Sequence, residues 1–309
     1  MHIDPWIVVF GFGVGILVGV TGVGGGSLMT PMLILIFGVT PVTAIGTDLA
    51  YGAVTKTLGG WRHWRHRTVD LGLTFWMAIG AVPSAVGGVV ALKALQHSEK
   101  ASFTDNILIV LGAVLLLCGA AMLGRLLLHP GGKNEHERAV LTPAKRMIAI
   151  VLGVTFGFVI GVTSVGSGSL ITVALILVFG LGPRQVVGTS VFYAAILLWA
   201  GALAHLVAGD IDFGLVGTIL IGSLPGVWIG SAISPRVPVS ALRVALGLLL
   251  VGAGLALVQK AGANIPIAVI AAFPLVVGGF ITAAWLRGRA RTKSAAATPA
   301  RVEPAALIH

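Results

Sequence analysis

The sequence predicts an all-α polytopic membrane protein with about 8–9 transmembrane helices plus two glycine-broken, re-entrant helices. These elements form two homologous repeats in inverted orientation. Three observations carry this reading. The 309 residues are 57% hydrophobic and only 10% charged, with mean hydropathy +1.03, whereas a soluble domain is nearer a quarter charged. Charge-free runs such as 71–92, 147–183, 185–209 and 213–235 reach or exceed the length of a membrane span. A transmembrane β-barrel would alternate apolar and polar residues instead. The chain also resembles itself: at an offset of 142 without gaps, 29 of the 74 positions in 15–88 match 157–230.

The elements follow in order. An apolar stretch runs from Trp6 to about Thr21 and meets the break Gly22-Val23-Gly24-Gly25-Gly26-Ser27. Three consecutive glycines do not suit a continuous helix, where each costs about 1 kcal/mol against alanine. Unwound backbone at membrane depth persists only where it is buried in protein or lines a polar cavity. A short helix from Ser27 to Phe37 ends at Gly38 and Pro41. A long helix over about Val42–Gly60 precedes the basic aromatic loop Trp61-Arg62-His63-Trp64-Arg65-His66-Arg67, which suits a cytoplasmic interface. Helices at about 71–95 and 103–128 complete the first half. The polar stretch 129–146 links it to the second, where Ser164-Val165-Gly166-Ser167-Gly168-Ser169 repeats the break. An apolar span at about 265–287 has no counterpart, and the basic tail after Arg287 has the composition of disorder. The expected organisation is a first repeat 1–128, a cytoplasmic linker 129–146, a second repeat 147–258, an extra helix 259–287 and a tail 288–309.

The repeat is not apolar filler. Thr21, Gly24, Gly26, Ser27 and Thr30 match Thr163, Gly166, Gly168, Ser169 and Thr172; Gly46, Thr47 and Tyr51 match Gly188, Thr189 and Tyr193. The arginines of the 62–67 loop have no equivalents at 204–209, which is followed by Asp210 and Asp212. Equivalent loops of opposite character belong on opposite sides of a membrane, and this favours inverted repeats. Net charge is +10. The basic residues sit in loops and the tail, as topology requires, so nucleic acid is not an expected partner. The single cysteine, Cys118, leaves no intrachain disulfide and no cysteine metal cluster. No metal or other cofactor is expected. The start lacks a basic n-region, so no cleaved signal peptide is expected.

Internal repeats with broken helices are the signature of secondary transporters, which bind substrate near the midplane. A break starts a new helix whose free N–H groups and dipole favour an anion. Gly24, Gly25, Gly26, Gly166 and Gly168 are therefore candidate substrate-binding backbone, with Ser27 and Ser169 as caps and donors. Thr21 and Thr163 could donate too, or bond back to their own helix carbonyls. Thr47 and Tyr51, like Thr189 and Tyr193, lie one turn apart on one face. Asp48, ionisable inside a span, is the candidate proton-coupling residue; the alternatives are an ion pair with Lys56 or a place near the surface. His63 and His205 are expected at the interface, Arg125 is expected to snorkel, and Gly11, Gly13, Gly15 and Gly19 are expected to pack helices.

These motifs resemble the TauE/SafE (sulfite exporter) family of membrane permeases over about 8–258. The family pattern is a glycine-rich break, a proline and then Gly-Thr-Ser, once per half. Here it reads Gly22–Gly26, Pro31 and Gly46-Thr47-Asp48, then Gly166–Ser169 and Gly188-Thr189-Ser190. Asp48 departs from the serine and Val173 from the proline. The resemblance implies a multi-pass permease of the cytoplasmic (inner) membrane that moves sulfite or small organosulfonate anions. The expected partners are a small sulfur-containing anion and the lipid bilayer; oligomeric state is not fixed. A passive anion channel is the alternative. An intramembrane enzyme is a further one, although no H-E-x-x-H occurs and no catalytic residue is expected.

Overall fold

The computed structural model describes residues 5–21, 26–98, 102–128, 139, 141–233 and 239–263. The first break (Gly22–Gly25), most of the linker, the final apolar span and the tail lie outside them. The described residues form helices joined by short turns: α1 (Pro5–Thr21), α2 (Gly26–Leu35), α3 (Pro41–Arg65), α4 (Leu71–Ser98), α5 (Phe103–Leu128), α6 (Pro143–Thr163), α7 (Ser169–Leu177), α8 (Pro183–Val207), α9 (Phe213–Ile233) and α10 (Val239–Lys260). Five stretches are long and apolar enough to cross a membrane: Leu71–Ser98, Phe103–Gly124, Pro143–Thr163, Pro183–Val207 and Phe213–Ile233. Pro5–Val20 and Val244–Lys260 are shorter apolar helices. The protein is a multi-pass helical membrane protein.

The helices α3 and α8 pack on each other at the centre and bury Ile45, Leu49, Tyr51, Tyr193, Leu197 and Leu198. Around them α1 packs on α9, α4 on α6 and α5 on α10. Small residues permit the first two contacts. A Cβ at Gly222 would overlap the carbonyl of Val8, and one at Gly80 would overlap that of Ile150. Close backbone approach of this kind replaces the missing hydrophobic drive between helices in lipid. Gly11, Gly15 and Gly19 meet Ile219, Ser223 and Val227 as expected, whereas Gly13 faces open space. Large apolar side chains on the far sides of these helices stay exposed, among them Phe75, Val90, Val151 and Trp228. This is the outward face that a lipid solvent allows.

The close contacts fix directions. Val8 meets Gly222 and Ile16 meets Gly230, so α1 and α9 run parallel; Ile150 meets Gly80 and Phe158 meets Gly88, so α6 and α4 do too. The loop before α9 packs against the start of α3, where Asp210 touches Gly46. The loop before α4 packs against the start of α8, where Thr68 touches Gly188. Thus α1 enters from the side where α3 begins, and α2 returns to that side. Likewise α6 enters from the side where α8 begins, and α7 returns to it. Within each pair, α1 with α2 and α6 with α7, the two helices thus run in opposite senses.

Two boundaries differ from expectation. The short helix ends at Leu35, two residues early. The long helix runs on to Arg65, so Trp61–Arg65 are helical rather than loop. That helix ends in a Schellman turn: Arg67 N–H donates to Trp64 O at 3.0 Å and Thr68 N–H to His63 O at 3.1 Å. The same turn ends α8, where Gly209 N–H donates to Leu206 O and Asp210 N–H to His205 O. Gly209 takes the left-handed position with φ +76°, and Arg67 takes it with φ +54°.

Candidate functional site

The second break shows how the sequence unwinds. Helix α6 stops at Ser164, which adopts a left-handed conformation (φ +61°) while its N–H donates to Ile160 O at 2.7 Å. Gly166 is also left-handed (φ +95°), and Gly168 precedes the first residue of α7. A serine in the left-handed region costs roughly 1–2 kcal/mol. Its hydroxyl gains a buried carboxylate: Ser164 Oγ donates to Asp48 Oδ2 at 2.9 Å. Thr30 Oγ1, from α2, donates to the same oxygen at 2.5 Å. Asp48 is fully buried, and its Oδ1 has no hydrogen-bond partner among the described residues. The alternative that left Asp48 near the surface is thereby corrected, because α2 and the second break close over it.

Two turns along α3, Lys56 does not pair with Asp48, the other alternative. Its Nζ donates to Ser167 O and to Ser167 Oγ, both at 2.9 Å. The lysine thus pins the second break from the first half's central helix. Gly166 N–H points to Ser27 Oγ at 3.4 Å, so the first turn of α2 meets the second break. One acidic and one basic group, both buried, therefore stand on α3 with hydroxyls and unwound backbone packed against them. Burying two charges is tolerable only with such partners.

The remaining candidates divide. Tyr51 and Tyr193 are buried at equivalent places on α3 and α8, and neither hydroxyl has a hydrogen-bond partner among the described residues. Ser223, on α9, lies beside the Tyr51 hydroxyl, and among the described residues its own hydroxyl makes no well-formed hydrogen bond. Ser169 Oγ makes no well-formed hydrogen bond among the described residues and adjoins the Cys118 thiol, which also borders Gly166. Ser27 and Ser169 do not cap their helices as expected. Ser27 lies inside α2, which starts at Gly26, and Ser169 opens α7 behind Gly168, which makes no side-chain cap. Thr163 bonds back to Val159 O at 2.6 Å and also accepts from Val165 N–H at 3.2 Å.

Thr47 and Thr189 hold the two halves together. Asp212 N–H donates to Thr47 Oγ1 at 3.2 Å, and Asp70 N–H donates to Thr189 Oγ1 at 2.9 Å. Their hydroxyls thus face loops at opposite ends of the bundle. Gly24 and Gly25 lie outside the described residues, as do the side chains of Thr21 and Arg125.

Sequence reasoning missed Thr30, Ser164, Ser167 and Ser223 as members of the cluster. The signal for the first was its match to Thr172; the other three have Gly22, Gly25 and Ala81 at the equivalent positions and could not be found through the repeat. His205, two residues from the end of α8, is enclosed by protein. It is fully buried, with Nδ1 2.9 Å from Asp210 Oδ2 and Nε2 3.1 Å from Gly161 O, while Lys93 pairs with Asp210 Oδ1. Burial works to raise the Asp210 carboxyl, but hydrogen bonds from His205 and Lys93 outweigh it and hold the group below its ordinary range. Among the described residues no cluster of three metal-ligating side chains occurs.

A glycine-containing helix break beside a buried polar cluster suits a membrane transporter. The family model described as Sulfite exporter TauE/SafE matches residues 7–257, and the chain belongs to that family. It is similar to "Probable membrane transporter protein YjnA" of Bacillus subtilis, 38% identical over 254 residues, covering 82% of this chain and 98% of that protein. It is also similar to "Probable membrane transporter protein YdhB" of the same organism, 28% identical over 252 residues, covering 81% and 98%. "Probable membrane transporter protein MJ0441" of Methanocaldococcus jannaschii is 24% identical over 263 residues, covering 80% and 92%. No solved structure matches.

Proposed function

We propose that this transporter moves sulfite or a small organosulfonate anion across the cytoplasmic membrane by alternating access between two inverted repeats. The observation that carries the reading is the set of buried polar atoms without a hydrogen-bond partner among the described residues: the hydroxyls of Tyr51, Ser169, Tyr193 and Ser223 and Asp48 Oδ1. Buried polar groups are nearly always satisfied, and exceptions call for a reason. Such hydroxyl donors, together with the buried ammonium of Lys56, suit the several acceptor oxygens of a sulfur oxyanion. Asp48, beside them, is a poor anion ligand and a good proton acceptor, so proton coupling is assigned to it.

The inverted arrangement rests on paired contacts. Asp70 bonds to Thr189 and Asp212 to Thr47, a pair related by the 142-residue offset taken in opposite senses. Asp70 Oδ1 accepts from Leu73 N–H and Asp212 Oδ1 from Leu215 N–H, again an equivalent pair. Charge supports the orientation. The end of the bundle where α3 finishes and α4, α6 and α8 begin carries Arg62, Arg65, Arg67, Lys145, Arg146 and Arg184. By the positive-inside rule that end is cytoplasmic, and with it the linker 129–146. On this reading the repeats are 1–128 and 147–258; the extra span, beyond residue 263, and the tail 288–309 lie outside the described residues.

The test is flux into proteoliposomes of sulfite, sulfoacetate, taurine and sulfate, with and without an imposed pH gradient. Saturable, gradient-driven flux of one sulfur anion is the expected result. Flux that does not saturate would favour a passive channel, and no flux of any of the four would remove the substrate assignment.

A further inference from the structure

The end of α3 carries a second polar feature, remote from the buried cluster. Trp61, Trp64, Arg65, Arg67, Val69 and Leu71 line an open cavity of about 610 Å³. Trp61, Trp64 and Leu71 are each about half exposed, at 51%, 50% and 52%. The Arg65 guanidinium stacks 5.0 Å from the Trp61 ring centre, which fixes its plane while leaving its edge N–H groups free to donate. Among the described residues no carboxylate pairs with Arg62, Arg65 or Arg67.

The backbone gives an independent observation. Arg67 stands at the left-handed position of a Schellman turn, with φ +54°. This position strains an L side chain and is usually filled by glycine. The equivalent residue of the second half is Gly209, in the same turn with φ +76°. The fold therefore accepts glycine here, and the arginine is held at a backbone cost. Strain of this kind is kept where a side chain has a task. The second-half equivalents of Trp61, Trp64 and Arg65 are Leu203, Leu206 and Val207, so the cavity is not a by-product of the repeated turn.

We infer that this cavity binds the phosphodiester headgroup of an anionic phospholipid. Arginine forks match phosphate oxygens. Tryptophans of mixed polar and apolar character sit at headgroup depth. Exposed Leu71 and half-buried Val69 supply an apolar wall for the first carbons of the acyl chains. Basic pockets between membrane helices take such headgroups. A free inorganic anion would have no use for that wall. The bound lipid would bear on the loop 68–70, whose Asp70 N–H bonds to Thr189, and so on the junction of the two halves.

The test is native mass spectrometry of the full-length protein in detergent, titrated with phosphatidylglycerol, with phosphatidylcholine, or with inorganic phosphate as competitor. Wild type is expected to retain phosphatidylglycerol about tenfold better than phosphatidylcholine, a preference that Arg67→Gly and Arg65→Gln each reduce several-fold. Because Gly209 already occupies the equivalent turn, Arg67→Gly is expected to melt at or above the wild-type temperature, which separates lost binding from lost folding. Equal retention of the two lipids, or equal retention by wild type and both variants, would overturn the assignment. Full displacement of the lipid by millimolar phosphate would overturn it too, by making the site one for free phosphate.

Discussion

The two central helices carry matching sequence motifs but differ in the charges they bury. Both carry Gly-Thr and a buried tyrosine one turn on, and both use the threonine to accept an N–H from the other half's loop. Where α3 has Asp48 and Lys56, α8 has Ser190 and Leu198. The hydroxyls that meet those charges diverge in the opposite sense. Ser164 and Ser167 belong to the second break, and their first-half equivalents are Gly22 and Gly25. The first half supplies both charges; the second supplies Ser164 and Ser167 as ligands, and Thr30 of the first half joins Ser164 at Asp48. The lesson is that the pseudo-symmetric contacts form the frame, whereas the chemistry sits where the symmetry fails.

The largest expected effect follows from Lys56. Lys56→Met leaves Ser167 O and Oγ without their donor in a buried site. Removing one partner of a buried charged hydrogen bond costs about 2–5 kcal/mol, and anion flux should fall more than about tenfold. Leu198→Met, at the equivalent place on α8, should leave flux near wild type. Equal losses in proteoliposome flux would abolish the asymmetry.

Helix packing should give the next effect. Gly222→Ala drives a methyl into the Val8 carbonyl and should destabilise by about 1–3 kcal/mol. Gly13→Ala meets nothing within 4 Å and should be neutral or slightly stabilising, since alanine favours helix. Thermal unfolding in detergent ranks the two.

The junction threonines come third. Thr189→Val and Thr47→Val each remove the acceptor of one loop N–H, worth about 0.5–1.5 kcal/mol. Thr189, with the shorter bond, should show the larger drop in melting temperature.

The smallest effect separates Asp210 from its counterpart Thr68. Its carboxyl is held below an ordinary value of 3.8, so its contribution is fully present above that pH. The contribution fades as pH falls through the lower native value. Asp210→Asn should therefore lose stability at neutral pH and show a shallower further decline below about pH 4. An acid profile unchanged from wild type would remove the pairing with His205 and Lys93 from the account.

Much of the fold was legible in the sequence because membrane helices write themselves in composition. The charge-free runs mark the five long apolar helices, and Gly166-Ser167-Gly168 marks the second break. The end of α3 was misread because aromatic and basic residues suggest an interface without showing whether the backbone there is helical. The cluster was only partly legible. Asp48 stood out because a carboxylate inside an apolar run has few uses. The partner of Lys56 lies 111 residues away, on a break that had to be folded against α3 before the contact existed. His205 was legible as a residue near a helix end, but not as one that Asp210 and Gly161 enclose. Thr47 and Thr189 shared a face with the tyrosines, as their spacing implied, yet their hydroxyls are taken by loops of the opposite half.

The most direct test of the central claim is sulfite flux through Asp48→Asn in proteoliposomes under an imposed pH gradient. Asparagine keeps an oxygen for Thr30 and Ser164 to donate to, so the site should stay assembled. The account predicts saturable flux that no longer responds to the gradient. Flux driven by the gradient as strongly as in wild type would contradict the role given to Asp48, and with it the claim that the asymmetric charges of α3 drive the transporter.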